Sequence, residues 1–215
     1  MSKQSKIYKT QVNKMRSIVM LLSVAVLISC CFYVLAAGES EQIVWQRDEK
    51  KVAITFDDGP NPETTTPMLD ALEENYAKAT FFCLGQNAGY YPETVQREYN
   101  LGMEVGTHTY SHVVLTSLSA SALDSEISKS VDAINKAIGV KPSLMRPPYG
   151  AVNKTVLSAV GGYNLCCMNW SLDTEDWKTK NADATYNEVM KAQDGDVVLL
   201  HDIHEYNVDT VKRFV

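Results

Sequence analysis

From Lys51 to the last residue, short apolar segments alternate strictly with amphipathic ones, and that alternation leaves few folds open. "KVAITF", "ATFFCLG", "MEVGTH", "PSLMR", "YNLCCMNW" and "DVVLLH" read as six strands, rich in β-branched and aromatic residues. The helical patterns between them have recognisable ends. Thr66 can cap and Pro67 open a helix through "MLDALEENY", and Pro92 opens "ETVQREYN" with Gly102 just past its end. Leu123, Ile127, Val131, Ile134 and Ile138 recur at helical spacing until Gly139 stops the run. Asn153 and Asn181 can cap two further helices, and an Asp194-Gly195 turn leads into the last strand. Alternation of this kind predicts a parallel sheet or barrel with helices outside.

The polar residues that interrupt the pattern fall at the ends of strands. Asp57 and Asp58 close the first strand, His108 the third, Arg146 the fourth and His201 the sixth, while Asp173 and Asp176 follow the fifth. β/α barrels gather their chemistry at the C-terminal ends of their strands. Five strands delivering reactive side chains to one rim therefore predict an active site there. In "TFDDGPNP" (55–62) the adjacent aspartates should face opposite ways, with Gly59 letting the backbone swing and re-aim one, so they need not share a task. "HTYSH" (108–112) spaces two imidazoles four apart, which one helical turn would bring together as ligands for Zn²⁺ or a similar ion. A third ligand is available from Asp57 or Asp58, leaving room for water and substrate. Asp176 can hold the ring of His201 in the manner of an acid–base pair, and Arg146 can hold a carboxylate of the Asp57-Asp58 pair. Trp177 and Leu199 read as core or as the wall of a small apolar pocket, and His204 reads as exposed loop.

The N-terminus belongs to a different environment. Lys3, Lys6, Lys9, Lys14 and Arg16 carry the only charges before Glu39, and residues 17–37 are free of charge and long enough to span a bilayer. This predicts a cytoplasmic basic segment (1–16), a single-pass transmembrane signal-anchor (17–37), a polar linker (38–50) and an extracellular domain (51–215). A cleaved signal peptide and a lipoprotein modified at Cys30 are the alternatives. Without those five leader cations, 15 basic residues stand against 26 acidic ones, a formal charge of −11. That argues against nucleic acid or any other polyanion as a partner. Cys83, Cys166 and Cys167 lie in apolar runs, with neither zinc-ribbon spacing nor a disulfide framework.

"TFDDGP", "HTYSH", "RPPYG", "DTEDW" and "LLHD", in this order over residues 51–202, resemble the five motifs of the polysaccharide deacetylases, carbohydrate esterase family four. The resemblance implies a distorted (β/α) barrel of parallel strands with outer helices. It also implies a divalent metal (zinc, or another such as cobalt) and removal of acetyl groups from acetylated polysaccharide. Carried over by motif, it makes Asp57 the general base, and Asp58, His108 and His112 the metal ligands. Arg146 would position the base, and Asp176 would partner the general acid His201. The backbone N–H of Tyr149 would hold the oxyanion, and Trp177 and Leu199 would line the pocket for the acetyl methyl. Together with an outward-facing anchor, it points to N-acetylglucosamine in peptidoglycan. Chitin-like oligomers, acetylxylan, or a glycan-binding barrel without turnover are the alternatives. In the family a full helix and a last strand follow the "LLHD" motif. Here the sequence runs to "TVKRFV", so the C-terminal end reads as shortened and the last strand is expected to keep an open edge.

Overall fold

The structure, a computed structural model, describes residues 51–215; the basic segment 1–16, the apolar run 17–37 with Cys30, and the spacer 38–50 lie outside the described residues. Among the described residues seven strands form one sheet: β1 (Ala53–Asp57), β2 (Thr80–Cys83), β3 (Glu104–Thr107), β4 (Leu144–Met145), β5 (Cys166–Cys167), β6 (Leu172–Asp173) and β7 (Val197–His201). All their pairings are parallel, in the order β5-β4-β3-β2-β1-β7-β6.

The two edge strands, β5 and β6, are consecutive in the chain, and this forces the sheet to curl. Laid flat, seven strands at ~4.8 Å spacing would set its edges roughly 29 Å apart. The five residue steps from Cys167 to Leu172 can span at most about 18 Å. The sheet is therefore an incomplete barrel, its gap bridged by Met168–Ser171.

Around it lie α1 (Pro62–Glu74), α2 (Gly85–Tyr90), α3 (Pro92–Asn100), α4 (Ala120–Ile138), α5 (Lys154–Gly162), α6 (Asp176–Thr179), α7 (Ala182–Val189) and α8 (Glu205–Phe214). The period of two along each strand separates core from site. Phe56, Phe81, Val105, Val198 and Leu200 point outward into a core with Met68, Leu69, Leu72, Val95, Val208 and Val211 from the helices. A second cluster joins Leu123, Ile127 and Val131 of α4 to Met145, Val156 and Val160. The alternate residues Thr55, Asp57, Phe82, Gly106, Leu199 and His201 are left to the inner face, where Thr55 lies beside Leu199 and Asp57 beside His201. Among the described residues no helix is long and apolar enough to cross a membrane.

Three expectations change. α1 begins at Pro62, five residues before Pro67, because Asn61 caps it by accepting from the Glu63 N–H at 3.2 Å. Thr66-Pro67 offers the same cap-and-proline pattern, but the earlier pair takes that role and Pro67 lies inside the helix. Secondly, β6 was not legible in the sequence, since only two residues pair. Thirdly, the "DVVLLH" strand has no open edge: β7 lies between β1 and β6, and α8 buries Val208 and Val211 in the main core.

Candidate functional site

The turn after β1 sets the site. Asp57 ends the strand on the inner face, 2% exposed. Asp58 takes φ +77°, and the Gly59-Pro60 bond is cis. Asp58, not Gly59, therefore makes the reversal that separates the two carboxylates. Gly59 is required for a different reason: a Cβ there would lie 2.0 Å from an oxygen of the Asp202 carboxylate. Asp202 is buried beneath the turn, accepts from the Thr65 hydroxyl at 2.5 Å, and is pushed up to about 7 by burial. Asn87 of α2 ties the other side, donating to the Asp58 carbonyl at 2.7 Å.

The histidines of "HTYSH" do converge, though not on a helical turn. The segment is a loop with Thr109 at φ +71° and His112 at φ +59°, and the two imidazole centroids are 4.9 Å apart. Asp58 Oδ1 lies 3.5 Å from His108 Nε2 and 3.3 Å from His112 Nε2. The three ligand atoms lie within 4.8 Å of one another. His108 Nδ1 sits 2.7 Å from the Arg146 carbonyl, to which its N–H donates, so its Nε2 lone pair faces the carboxylate. Burial holds the His108 imidazole below its ordinary range, against the pull of Asp57 and Asp58, so it is neutral and ready to ligate. Asp58 Oδ1 is buried and has no hydrogen-bond partner among the described residues. An orphaned carboxylate oxygen facing two imidazole nitrogens is the donor set of a borderline divalent cation, and the residues fit one.

Two further pairs flank this triad. Arg146, fully buried, donates from Nη1 to Asp57 Oδ1 and to the Thr55 hydroxyl, both at 2.7 Å. Its Nε and Nη2 reach the Met168 and Asn169 carbonyls at 3.3 and 3.2 Å, tying it to the bridge across the barrel's gap. Its guanidinium lies 4.2 Å from the Phe82 ring. Gly106, beside Phe82, leaves room for that ring, since a Cβ would come within 2.7 Å of it. With Oδ1 held by Arg146, Asp57 presents Oδ2 to His108 Nε2 at 3.7 Å.

On the opposite side, Asp176 opens α6 and receives the His201 backbone N–H and ring Nδ1, both at 2.8 Å. Asp176 therefore follows β6 rather than the fifth strand. Burial alone would lower the His201 imidazole, but the hydrogen bond and charge of Asp176, with Asp57 and Asp58 behind, raise it to about 9. Its free Nε2 lies 3.9 Å from Asp58 Oδ2. Asp173 instead accepts from the Glu175 N–H at 2.8 Å and serves the turn.

The remaining expected residues are near but placed differently. Tyr149, at φ +61°, sets its ring 4.8 Å from that of His112 and is 66% exposed. Leu199 is buried on the inner face, two residues below His201. Trp177 is half exposed, its backbone N–H donating to Asp176 Oδ1 at 2.8 Å. His204 is not free loop: it is half buried, stacks on Tyr206 at 4.9 Å and lies 6.2 Å from the His201 ring. Sequence reasoning missed Asn207, which donates to Asp176 Oδ2 at 2.5 Å and to the His201 carbonyl at 2.7 Å. An asparagine within the first turn of a helix carries no signal for that role.

An incomplete parallel β/α barrel with its reactive groups on the C-terminal rim is the class of scaffold this describes. The family model of the polysaccharide deacetylase domain matches residues 46–166. The Bacillus subtilis peptidoglycan-N-acetylmuramic acid deacetylase PdaC is 41% identical over 169 residues, 78% of this chain and 36% of that protein. The Listeria monocytogenes peptidoglycan-N-acetylglucosamine deacetylase PgdA is 43% identical over 160 residues, 74% of this chain and 34% of that protein. The chain thus spans about a third of the length of these curated relatives. The solved structure of PdaC superposes with a TM-score of 0.73 at 42% identity, covering 77% of this chain and 81% of that one. The chain belongs to the polysaccharide deacetylase family.

Proposed function

We propose that the protein hydrolyses N-acetyl groups on the glycan of peptidoglycan, with N-acetylglucosamine as the substrate sugar. One observation carries the reading: the orphaned Asp58 oxygen between two imidazoles has an Arg-held aspartate on one side and an Asp-held imidazole on the other. That is a full acid–base set around a cation site. The names of PdaC and PgdA supply the polymer, one with the muramic acid sugar and one with the glucosamine. N-acetylglucosamine, the sugar in the name of PgdA, is the one proposed here, and N-acetylmuramic acid, the sugar in the name of PdaC, is its alternative.

A divalent cation held by Asp58, His108 and His112, zinc or another such as cobalt, would polarise the acetyl carbonyl and acidify a water. Asp57 takes the proton of the attacking water through Oδ2, the oxygen Arg146 leaves free. The N–H of Tyr149 donates to the oxygen of the tetrahedral intermediate. His201, its Nδ1 anchored to Asp176, gives the proton on Nε2 to the departing amine, and acetate is released. Leu199 and Trp177 line the space for the acetyl methyl.

Acetate release by the purified protein with zinc, on peptidoglycan glycan fragments, chitin oligomers and acetylxylan, tests class and substrate together. Turnover on N-acetylglucosamine-containing fragments is expected. Binding of those fragments without acetate release would make the protein a glycan-binding barrel. The location proposed is the cell membrane, with residues 17–37 as anchor and the enzyme facing outward. What supports it is the charge-free run behind five basic residues. Protease added to intact cells should then digest the domain, and a mature protein free in the medium would refute the anchor.

A further inference from the structure

The loop that joins His108 to His112 holds two non-glycine residues at positive φ, a conformation that persists only where the surroundings over-determine it. The strongest restraint comes from α4, on the helix side of the sheet and outside the rim. Glu126 Oε2 accepts the backbone N–H of Tyr110 at 3.2 Å and of Ser111 at 2.9 Å. Its Oε1 accepts the Ser111 hydroxyl at 2.7 Å. One turn further along the same helix, the Ser130 hydroxyl meets that of Thr107, which in turn accepts the Thr109 N–H at 3.2 Å. The start of α2 adds backbone restraints: the Thr109 and Tyr110 carbonyls accept Gly85 and Gln86 N–H groups at 2.8 and 3.1 Å. Gly85 must lack a side chain for this, as a Cβ would lie 2.7 Å from Ser130 Cα.

We propose that Glu126 is a positioning residue for the cation site: it fixes the turn between the two histidine ligands and thereby sets the affinity for the ion. The inference rests on the metal reading above and deepens it. Glu126 touches neither ligand nor substrate. It acts on the backbone between the imidazoles, so that their nitrogens already converge on Asp58 before an ion arrives. Without the carboxylate, the Tyr110 and Ser111 N–H groups pair with water, and the loop spends part of its time in relaxed conformations that separate the ligands. Apparent affinity then falls in proportion to the competent fraction. A fraction of about 1–10% gives the roughly 10–100-fold loss seen when outer partners of metal ligands are removed.

The test measures zinc affinity of the full chain by competition with a chromophoric chelator, alongside the melting temperature in excess chelator. Glu126→Ala should bind zinc about 10–100-fold more weakly. Glu126→Gln should stay within about threefold of the parent, since its amide oxygen can accept both N–H groups and its NH₂ can donate to the Ser111 hydroxyl. If Glu126→Ala lowers only the chelated melting temperature and leaves zinc affinity unchanged, the residue is structural and the inference fails. If Glu126→Gln is as weak as Glu126→Ala, charge rather than turn geometry governs the site, which also overturns it. Should Glu126→Ala not fold, Ser111→Ala removes one of the three hydrogen bonds and should weaken zinc about threefold; an unchanged affinity there counts against the proposal. A parent protein that binds no zinc overturns the metal reading itself, and this inference with it.

Discussion

Replacing Arg146 by methionine would test the energetics at the centre of the barrel. The arginine is fully buried, and Asp57, its partner at 2.7 Å, is 2% exposed. Methionine fills much of the same volume beside Phe82, so the cavity term is small. What remains is an unpaired buried carboxylate, with the Thr55 hydroxyl and the Met168 and Asn169 carbonyls also short of a donor. Removing one member of a buried ion pair costs about 3–5 kcal/mol. For a domain of this size each kcal/mol moves the melting temperature by about 2–4 °C, so a fall of roughly 6–20 °C is expected. The pair itself is isolated by a double-mutant cycle in urea, with chelator present. Asp57→Asn in the Arg146→Met background removes the stranded charge and should recover stability, giving a coupling of about 1–3 kcal/mol. Additive effects of the two substitutions, or a fall under about 2 °C for Arg146→Met, would refute the account of Arg146 as the counter-charge that makes burial of Asp57 tolerable.

The two aspartates of the β1 turn should fail in different ways. Asp58→Asn should lose bound zinc, whereas Asp57→Asn should keep it and lose about 10²–10⁴ in turnover; the reverse pattern of metal content would exchange their assignments. The His201–Asp176 pair predicts a pH dependence of the chelated protein. Because folding raises His201 from 6.5 to about 9, its stabilisation is complete below about pH 6.5 and is lost as pH rises through about 9. Urea titrations from pH 6 to 10 should show that loss in the parent, and Asp176→Asn should flatten it; an unchanged slope would refute the pairing. Gly59→Ala should destabilise by about 1–3 kcal/mol, because its Cβ must displace the buried Asp202 carboxylate. Asp202→Ala in the same background should restore part of the loss, and no restoration would mean that the clash lies elsewhere.

The alternation of apolar strands with capped helices was sufficient to give a parallel β/α architecture, because it rests on local periodicity and on end signals such as Asn153, Asn181 and Gly139 that act within one turn. The rim residues were legible for the same reason, a charged side chain at the end of an apolar strand being a local anomaly. Tertiary structure decided the rest. The edge strand β6 forms because the curled sheet brings Leu172 and Asp173 to β7, a pairing with no local propensity behind it. The histidines of "HTYSH" meet through a positive-φ loop held by Glu126, where spacing alone had suggested a helical turn. Asn207, Asp202 and Glu126 are ordinary surface-type residues in the sequence, and only their burial or orientation against the rim gives them roles. Even Gly59, conspicuous beside the two aspartates, is explained by a carboxylate more than 140 positions away in the chain. Sequence spacing encodes what a residue can do within its own turn or strand; which distant group presses against it depends on how the sheet closes.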